Sequence, residues 1–110
     1  MRINVTSRKL SLNDEQHAWI RRRIQFALGR FTSRIHCVSA TLSDINGVRG
    51  GPDKQCRLRI TLSPSREIVL DDVDASIEAA ASNVAEKAAR SVARLLERLR
   101  ETRLETGSDL

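Results

Sequence analysis

At 110 residues the chain can bury about two-thirds of its unfolded surface, which fits one hydrophobic core and leaves no room for a second domain. With 40% hydrophobic and 30% charged residues, two prolines and five glycines, the composition excludes a disordered chain. Sixteen Arg and three Lys against 14 acids give a net charge of +5, and guanidinium forks that match phosphate oxygens point to a polyanionic partner, either nucleic acid or an anionic membrane surface.

In chain order, residues 2–7 alternate, with Ile3 and Val5 opposed to Arg2, Asn4 and Thr6, the period of a half-buried strand. Asn13 followed by Asp14, Glu15 and Gln16 has the pattern of a capping box, with acids in the first turn favoured by the helix dipole. From there Ile20, Ile24, Ala27, Leu28 and Phe31 share one face of a helix of roughly 18 residues. Alternation returns over residues 35–43, with Val38, Ala40 and Leu42 inward, and over 55–63, with Cys56, Leu58, Ile60 and Leu62 inward. The Asn46-Gly47, Gly50-Gly51 and Pro52-Asp53 pairs between them are turn chemistry and predict a long-looped hairpin. A short strand carrying Ile68 and Leu70 follows the break at Ser63-Pro64-Ser65. Asp74 is then the expected cap of a long helix to about residue 104, with Ile77, Ala80, Ala81, Val84, Ala88, Val92, Leu95 and Leu99 as its apolar stripe. Residues 105–110 are expected to be a disordered tail after a single domain spanning 1–104.

The predicted order is therefore β-α-β-β-β-α, an α+β fold in which two helices cover one face of a four-stranded mixed sheet, leaving the other face polar. No apolar run approaches the roughly 18 residues of a membrane span, and the N-terminus has no signal-like apolar segment. A cytoplasmic location without membrane contact is expected, with Cys37 and Cys56 reduced and too few to hold zinc.

The charge is unevenly placed. Residues 1–59 hold 12 basic and 4 acidic side chains, whereas residues 60–110 hold 7 basic and 10 acidic, with an acidic stretch from Glu67 to Glu86. On the last helix, Arg90, Arg94 and Arg98 fall within about 60° of Lys87, so these four cations predict one row roughly 16 Å long beside the core stripe. A solvated face tempered by pairs such as Glu86–Arg90 is the plainer reading of that row. On the first helix Arg21, Arg22 and Arg23 point in three directions, while Arg23 and Arg30 share a side with Trp19 and Phe26. Those two rings fit either stacking on unpaired bases or a widened core contact.

The polar sheet face carries Arg2, Asn4, Thr6, Ser39, Thr41, Arg57, Arg59 and Thr61 but no aromatic residue, which argues against base readout by the strands. Double-stranded-RNA-binding domains place cations at the start of their last helix, where this chain has Asp71, Asp72 and Asp74. Catalysis finds no support: His17 and His36 lack a nucleophile or carboxylate at a diagnostic spacing, and the glycines of 47–51 sit between two strands instead of a strand and a helix. The chain is not expected to be an enzyme or to hold a metal, cofactor or small-molecule substrate.

The opening Met-Arg-Ile-Asn-Val-Thr-Ser-Arg, the helix from Trp19-Ile20-Arg21-Arg22-Arg23-Ile24 to Arg30-Phe31, and the Asp72-Val73-Asp74 lead into a basic last helix resemble the bacterial ribosome hibernation promoting factor family. The hairpin segment from Leu42 to Cys56 is similar to a short-form subgroup of that family, which has no C-terminal dimerisation domain. The resemblance implies a non-enzymatic factor, monomeric off the ribosome, that occupies the decoding channel of the small ribosomal subunit and silences idle ribosomes. It further implies rRNA contacts from Arg22, Arg23 and Arg30, from Lys87, Arg90, Arg94 and Arg98, and from Arg49, Lys54, Arg57 and Arg59 around the hairpin. The competing expectation is an interaction module whose basic helix docks on an acidic protein, such as a transcription regulator.

Overall fold

The computed structural model describes residues 1–45, 53–62 and 65–108, the last eight of them by backbone alone. Strand β1 spans Arg2–Arg8, helix α1 spans Asp14–Leu28 and continues as a 3₁₀ turn over Gly29–Phe31, and β2 spans Ile35–Asp44. Strands β3 and β4 span Lys54–Leu62 and Arg66–Asp74, and helix α2 spans Ile77–Ser108. The sheet order is β1-β2-β3-β4, with β1 parallel to β2 and the other two pairings antiparallel. This is the α+β, mixed-sheet arrangement that the alternation and the two apolar stripes require.

Both helices lie on one sheet face because the inward positions of the strands have nowhere else to be buried. Val38, Ala40 and Leu42 of β2 and Cys56, Leu58 and Ile60 of β3 are fully buried against Ile20, Ile24 and Leu28 of α1 and Ala80, Ala81, Val84, Ala88 and Val92 of α2. The alanines of α2 let the helix backbone approach the sheet closely, and Ala85 is buried beside them. Ile68 and Leu70 point inward from β4 and pack at the margin of this core. At about 25 cal/mol per Å², each Leu or Ile in this layer contributes roughly 1.5–3 kcal/mol through burial.

Local signals set the element ends. Asn13 accepts from the Gln16 amide at 2.8 Å while the Gln16 side chain accepts from the Asn13 amide at 3.0 Å, so the capping box forms in full. Helix α2 departs from expectation at its start. Asp74 stays in β4, paired with Lys54, and Ser76 is the cap, its Oγ accepting from the Ala79 amide at 3.1 Å. The Asp74 carboxylate instead accepts from the Ala75 amide and from the Asn83 side chain at 3.1 Å, which anchors the strand-to-helix turn. The backbone of α2 is helical to Ser108, beyond residue 104 where the sequence pattern stops it.

Candidate nucleic-acid interface

The three consecutive arginines of α1 separate as the helix winds. Arg21 donates to the Ile3 carbonyl at 2.7 Å and ties α1 to β1. Arg22 is exposed. Arg23 reaches across to α2, donating to Glu86 at 3.2 Å and to Ser82 Oγ at 3.3 Å. Glu86 therefore pairs between helices instead of with Arg90 along its own helix.

A groove follows the line where α1 meets α2. At one end Arg23, Phe26, Ala27 and Arg30 face Glu86, Ala89 and Arg90. At the other, Arg30, Phe31 and Arg34 face Ala93, Leu96, Glu97, Leu99 and Arg100. The two ends together hold five arginines and two glutamates, so the groove is cationic with an apolar floor. Arg30 lies over the Phe31 ring, 4.6 Å from its centroid, which fixes the guanidinium between the two ends. Arg34 and Arg100 were not among the sequence candidates. Arg100 repeats the helical phase of Ala89, Ala93 and Leu96, so the period of α2 contained the signal.

The predicted row on α2 divides. Lys87 turns toward β4, where its ammonium donates to Asp72 Oδ1 at 3.1 Å and to the Asp71 carbonyl at 3.2 Å. Arg90, Arg94 and Arg98 are exposed and have no acid within ion-pair distance among the described residues. The helical angle placed all four side chains on one side; it carried no information that a carboxylate lies opposite only the first of them.

The hairpin cations are also paired. Arg57 meets Asp71 across the β3–β4 ladder at 3.4 Å, and Arg59 meets Glu67 at 3.5 Å on the open sheet face. Lys54 sits between Asp53 at 3.0 Å and Asp44 at 3.4 Å; the hydrogen bond that it donates to Asp53, aided by both carboxylate charges, raises its pKa above the ordinary lysine value. Arg49 lies outside the described residues. The acidic stretch thus supplies counter-charges: Glu67, Asp71, Asp72 and Glu86 each hold a cation. Exposed pairs of this kind are worth about 0–1 kcal/mol, so Arg57 and Arg59 are held loosely.

A shallow polar cleft on the open sheet face is bounded by Arg8, Arg57 and Arg59, with Thr6 and Thr41 at its floor. The hydroxyls of Thr6 and Thr41 approach to 3.4 Å across the parallel β1–β2 pairing. The aromatics divide as well. Trp19 packs partly against the core, whereas Phe26 is 86% exposed, so the widened core contact holds for the first ring and not the second.

Cys56 is buried, and the loss of water around it pushes its thiol up to about 12, with the Asp72 carboxylate adding to the shift. Cys37 is a half-buried free thiol. Among the described residues no group of three or more His, Cys, Asp or Glu is placed to hold a metal, and no helix is long and apolar enough to cross a membrane.

Fold and surface together define a small α+β protein with two helices on one face of a mixed sheet and a cationic groove along the helical layer. Residues 3–100 match the family model described as sigma 54 modulation protein / S30EA ribosomal protein, and the chain belongs to that family. Among solved structures it is similar to the N-terminal domain of Protein Y from Thermus thermophilus, with a TM-score of 0.71 at 18% identity over 86% of this chain and 99% of that one. It is also similar to a ribosomal subunit interface protein from Coxiella burnetii, with a TM-score of 0.72 at 12% identity over 88% of this chain and 99% of that one. At such identities the likeness is one of fold. No curated protein sequence matches it significantly.

Proposed function

We propose that this chain is a ribosome hibernation factor. In this reading it binds the small ribosomal subunit through its helical face, covers the decoding channel where mRNA and tRNA would lie, and inhibits translation in idle cells. It works as a monomer in the cytoplasm and does no chemistry. Family membership over residues 3–100 supports the ribosomal partner, and the Coxiella protein of similar fold, a ribosomal subunit interface protein, agrees with it.

The observation that carries the choice of surface is the line of arginines without acid partners. Arg22, Arg30, Arg90, Arg94 and Arg98 on the helical layer have no ion pair among the described residues, as is true of Arg2, Arg8 and Arg66 on the strands, whereas Arg23, Arg57, Arg59 and Lys87 each have one and Lys54 has two. A free guanidinium gives its full charge to a phosphate and releases a counterion on binding, which makes affinity strongly dependent on salt. The paired cations are secondary contacts, available only if the phosphate displaces a carboxylate.

The experiment is sucrose-gradient fractionation of stationary-phase extract containing the tagged full chain, run at low and at high potassium chloride. Co-migration with the small subunit or whole ribosomes at low salt, lost at high salt, is the expected result. A tag that stays at the top of the gradient at low salt, or that follows one acidic protein regardless of salt, would sink the proposal.

A further inference from the structure

Phe26 is the most exposed large apolar side chain among the described residues. On α1 it lies within about 60° of Trp19, Arg22 and Arg23, and roughly 160° from Ile24 and Leu28, so it contributes nothing to the core. Shallow depressions flank it on both sides, one shared with Trp19 and Arg22, the other with Arg30 and Arg90, and Arg23 borders both. The single acid beside it, Glu86, is already engaged by Arg23. The guanidinium of Arg30 lies over Phe31, no cation among the described residues lies over the Phe26 ring, and that ring is 86% exposed.

A lone exposed apolar side chain is ordinary on a protein surface. A bare ring set among four arginines is a more specific arrangement, because it combines a π-face with phosphate-binding charge at neighbouring points of one surface. We infer that Phe26 is a stacking platform for an unpaired base of the RNA whose phosphates are held by Arg22, Arg30 and Arg90. The inference rests on the ribosomal reading above and names the chemistry recognised at one point of that surface.

Charge complementarity selects the occupant. A second copy of the chain would bring four more arginines against these four. An apolar protein pocket would have to desolvate the guanidinium groups around the ring without pairing them, which is unfavourable. A nucleotide satisfies both parts, since its base covers the ring and its phosphate meets the cation. The open sheet face has no aromatic side chain, Trp19 and Phe31 are partly packed against the core with Arg30 over the latter, and Phe26 is the most exposed ring on which a base can stack.

The test measures the affinity of the full chain for purified bacterial small ribosomal subunits over a range of potassium chloride, with Phe26→Ala, Phe26→Leu and Phe26→Trp. Stacking of one base is worth about 1–3 kcal/mol, so Phe26→Ala is expected to weaken binding about 5- to 150-fold. The salt slope stays that of the wild type, because stacking releases no counterion. Phe26→Leu should be nearly as weak, since it keeps apolar area but has no π-face, and Phe26→Trp should bind as well as the wild type or better. Unchanged melting temperatures confirm that the exposed site leaves the fold intact.

Wild-type affinity in Phe26→Ala would overturn the inference. So would wild-type affinity in Phe26→Leu alone, which would assign the ring to an apolar protein pocket. If the unaltered chain itself fails to bind subunits, the ribosomal reading falls and this one with it, so the two failures are read from different proteins.

Discussion

Replacing Arg90, Arg94 and Arg98 together by Gln removes three cations that have no carboxylate partner, and it should lower RNA affinity while slightly stabilising the fold. Each phosphate contact contributes about 0.7–0.9 to the slope of log affinity against log salt, so three contacts account for a slope of roughly 2–2.7. Over the fourfold range from 50 to 200 mM salt, that is a difference of about 20- to 40-fold in how much affinity the two proteins lose. The three residues are spaced i, i+4 and i+8, where like charges destabilise a helix by about 0.2–0.5 kcal/mol per pair, so the variant should melt no lower than the wild type. Lys87 is kept, because it ties α2 to Asp72 and the Asp71 carbonyl and its loss would confound binding with stability. The comparison protein is Arg57→Gln with Arg59→Gln, whose cations are held by Asp71 and Glu67. Subunit binding across the salt range, by co-sedimentation, should show a flattened slope for the first variant and a much smaller change per substitution for the second. Equal slope changes per arginine in the two variants would refute the distinction between free and paired cations.

Two further predictions concern the fold. The Cys56 thiol is raised from an ordinary value of 9.0 to about 12, so the folded state favours the neutral thiol. Its contribution is complete below pH 9 and is lost as pH rises toward 12, at up to about 1.4 kcal/mol per unit. Chemical denaturation at pH 8, 9, 10 and 11 should show this decline in the wild type and a flatter profile in Cys56→Ala, and parallel profiles would contradict it. Ser76→Ala removes the cap of α2 and should cost about 1 kcal/mol, a fall of roughly 4–8 °C in melting temperature, whereas Ser76→Thr should keep most of it. No loss in Ser76→Ala would return the capping role to Asp74.

The layers of the fold were legible because they follow from periods. Alternation over β1, β2 and β3, the full capping box at Asn13 and the small-residue stripe of α2 each leave one apolar side, and two helices on one sheet face is the arrangement that buries them all. The start of α2 was misplaced for a reason equally physical: Asp74 has the chemistry of a cap, but β4 still pairs with Lys54 at that position, the ladder holds the backbone extended through Asp74, and the helix is capped two residues later by Ser76. Phe26 and Trp19 share a helical phase yet differ in burial, since only the ring nearer the core margin finds side chains to pack against.

Legibility of the candidate interface failed at a different level, that of what lies across from each cation. Sequence spacing places Lys87, Arg90, Arg94 and Arg98 on one side of a helix, but β4 brings Asp72 opposite only Lys87. The same strand brings Asp71 opposite Arg57 and Glu67 diagonal to Arg59, and Glu86 reaches Arg23 from α2. The acidic stretch is therefore the means by which the fold sorts its arginines. Those it pairs include Arg23, Arg57 and Arg59, whereas Arg22, Arg30, Arg90, Arg94 and Arg98 on the helical face are left without an acid among the described residues, as are Arg2, Arg8 and Arg66 on the strands. A net charge of +5 understates that face, because the cations neutralised within the fold and the cations open to a polyanion are different residues. Adding acids elsewhere on the surface would change the net charge without touching this division, whereas moving Asp72 or Glu86 by one helical turn or one strand position would change which arginines are free.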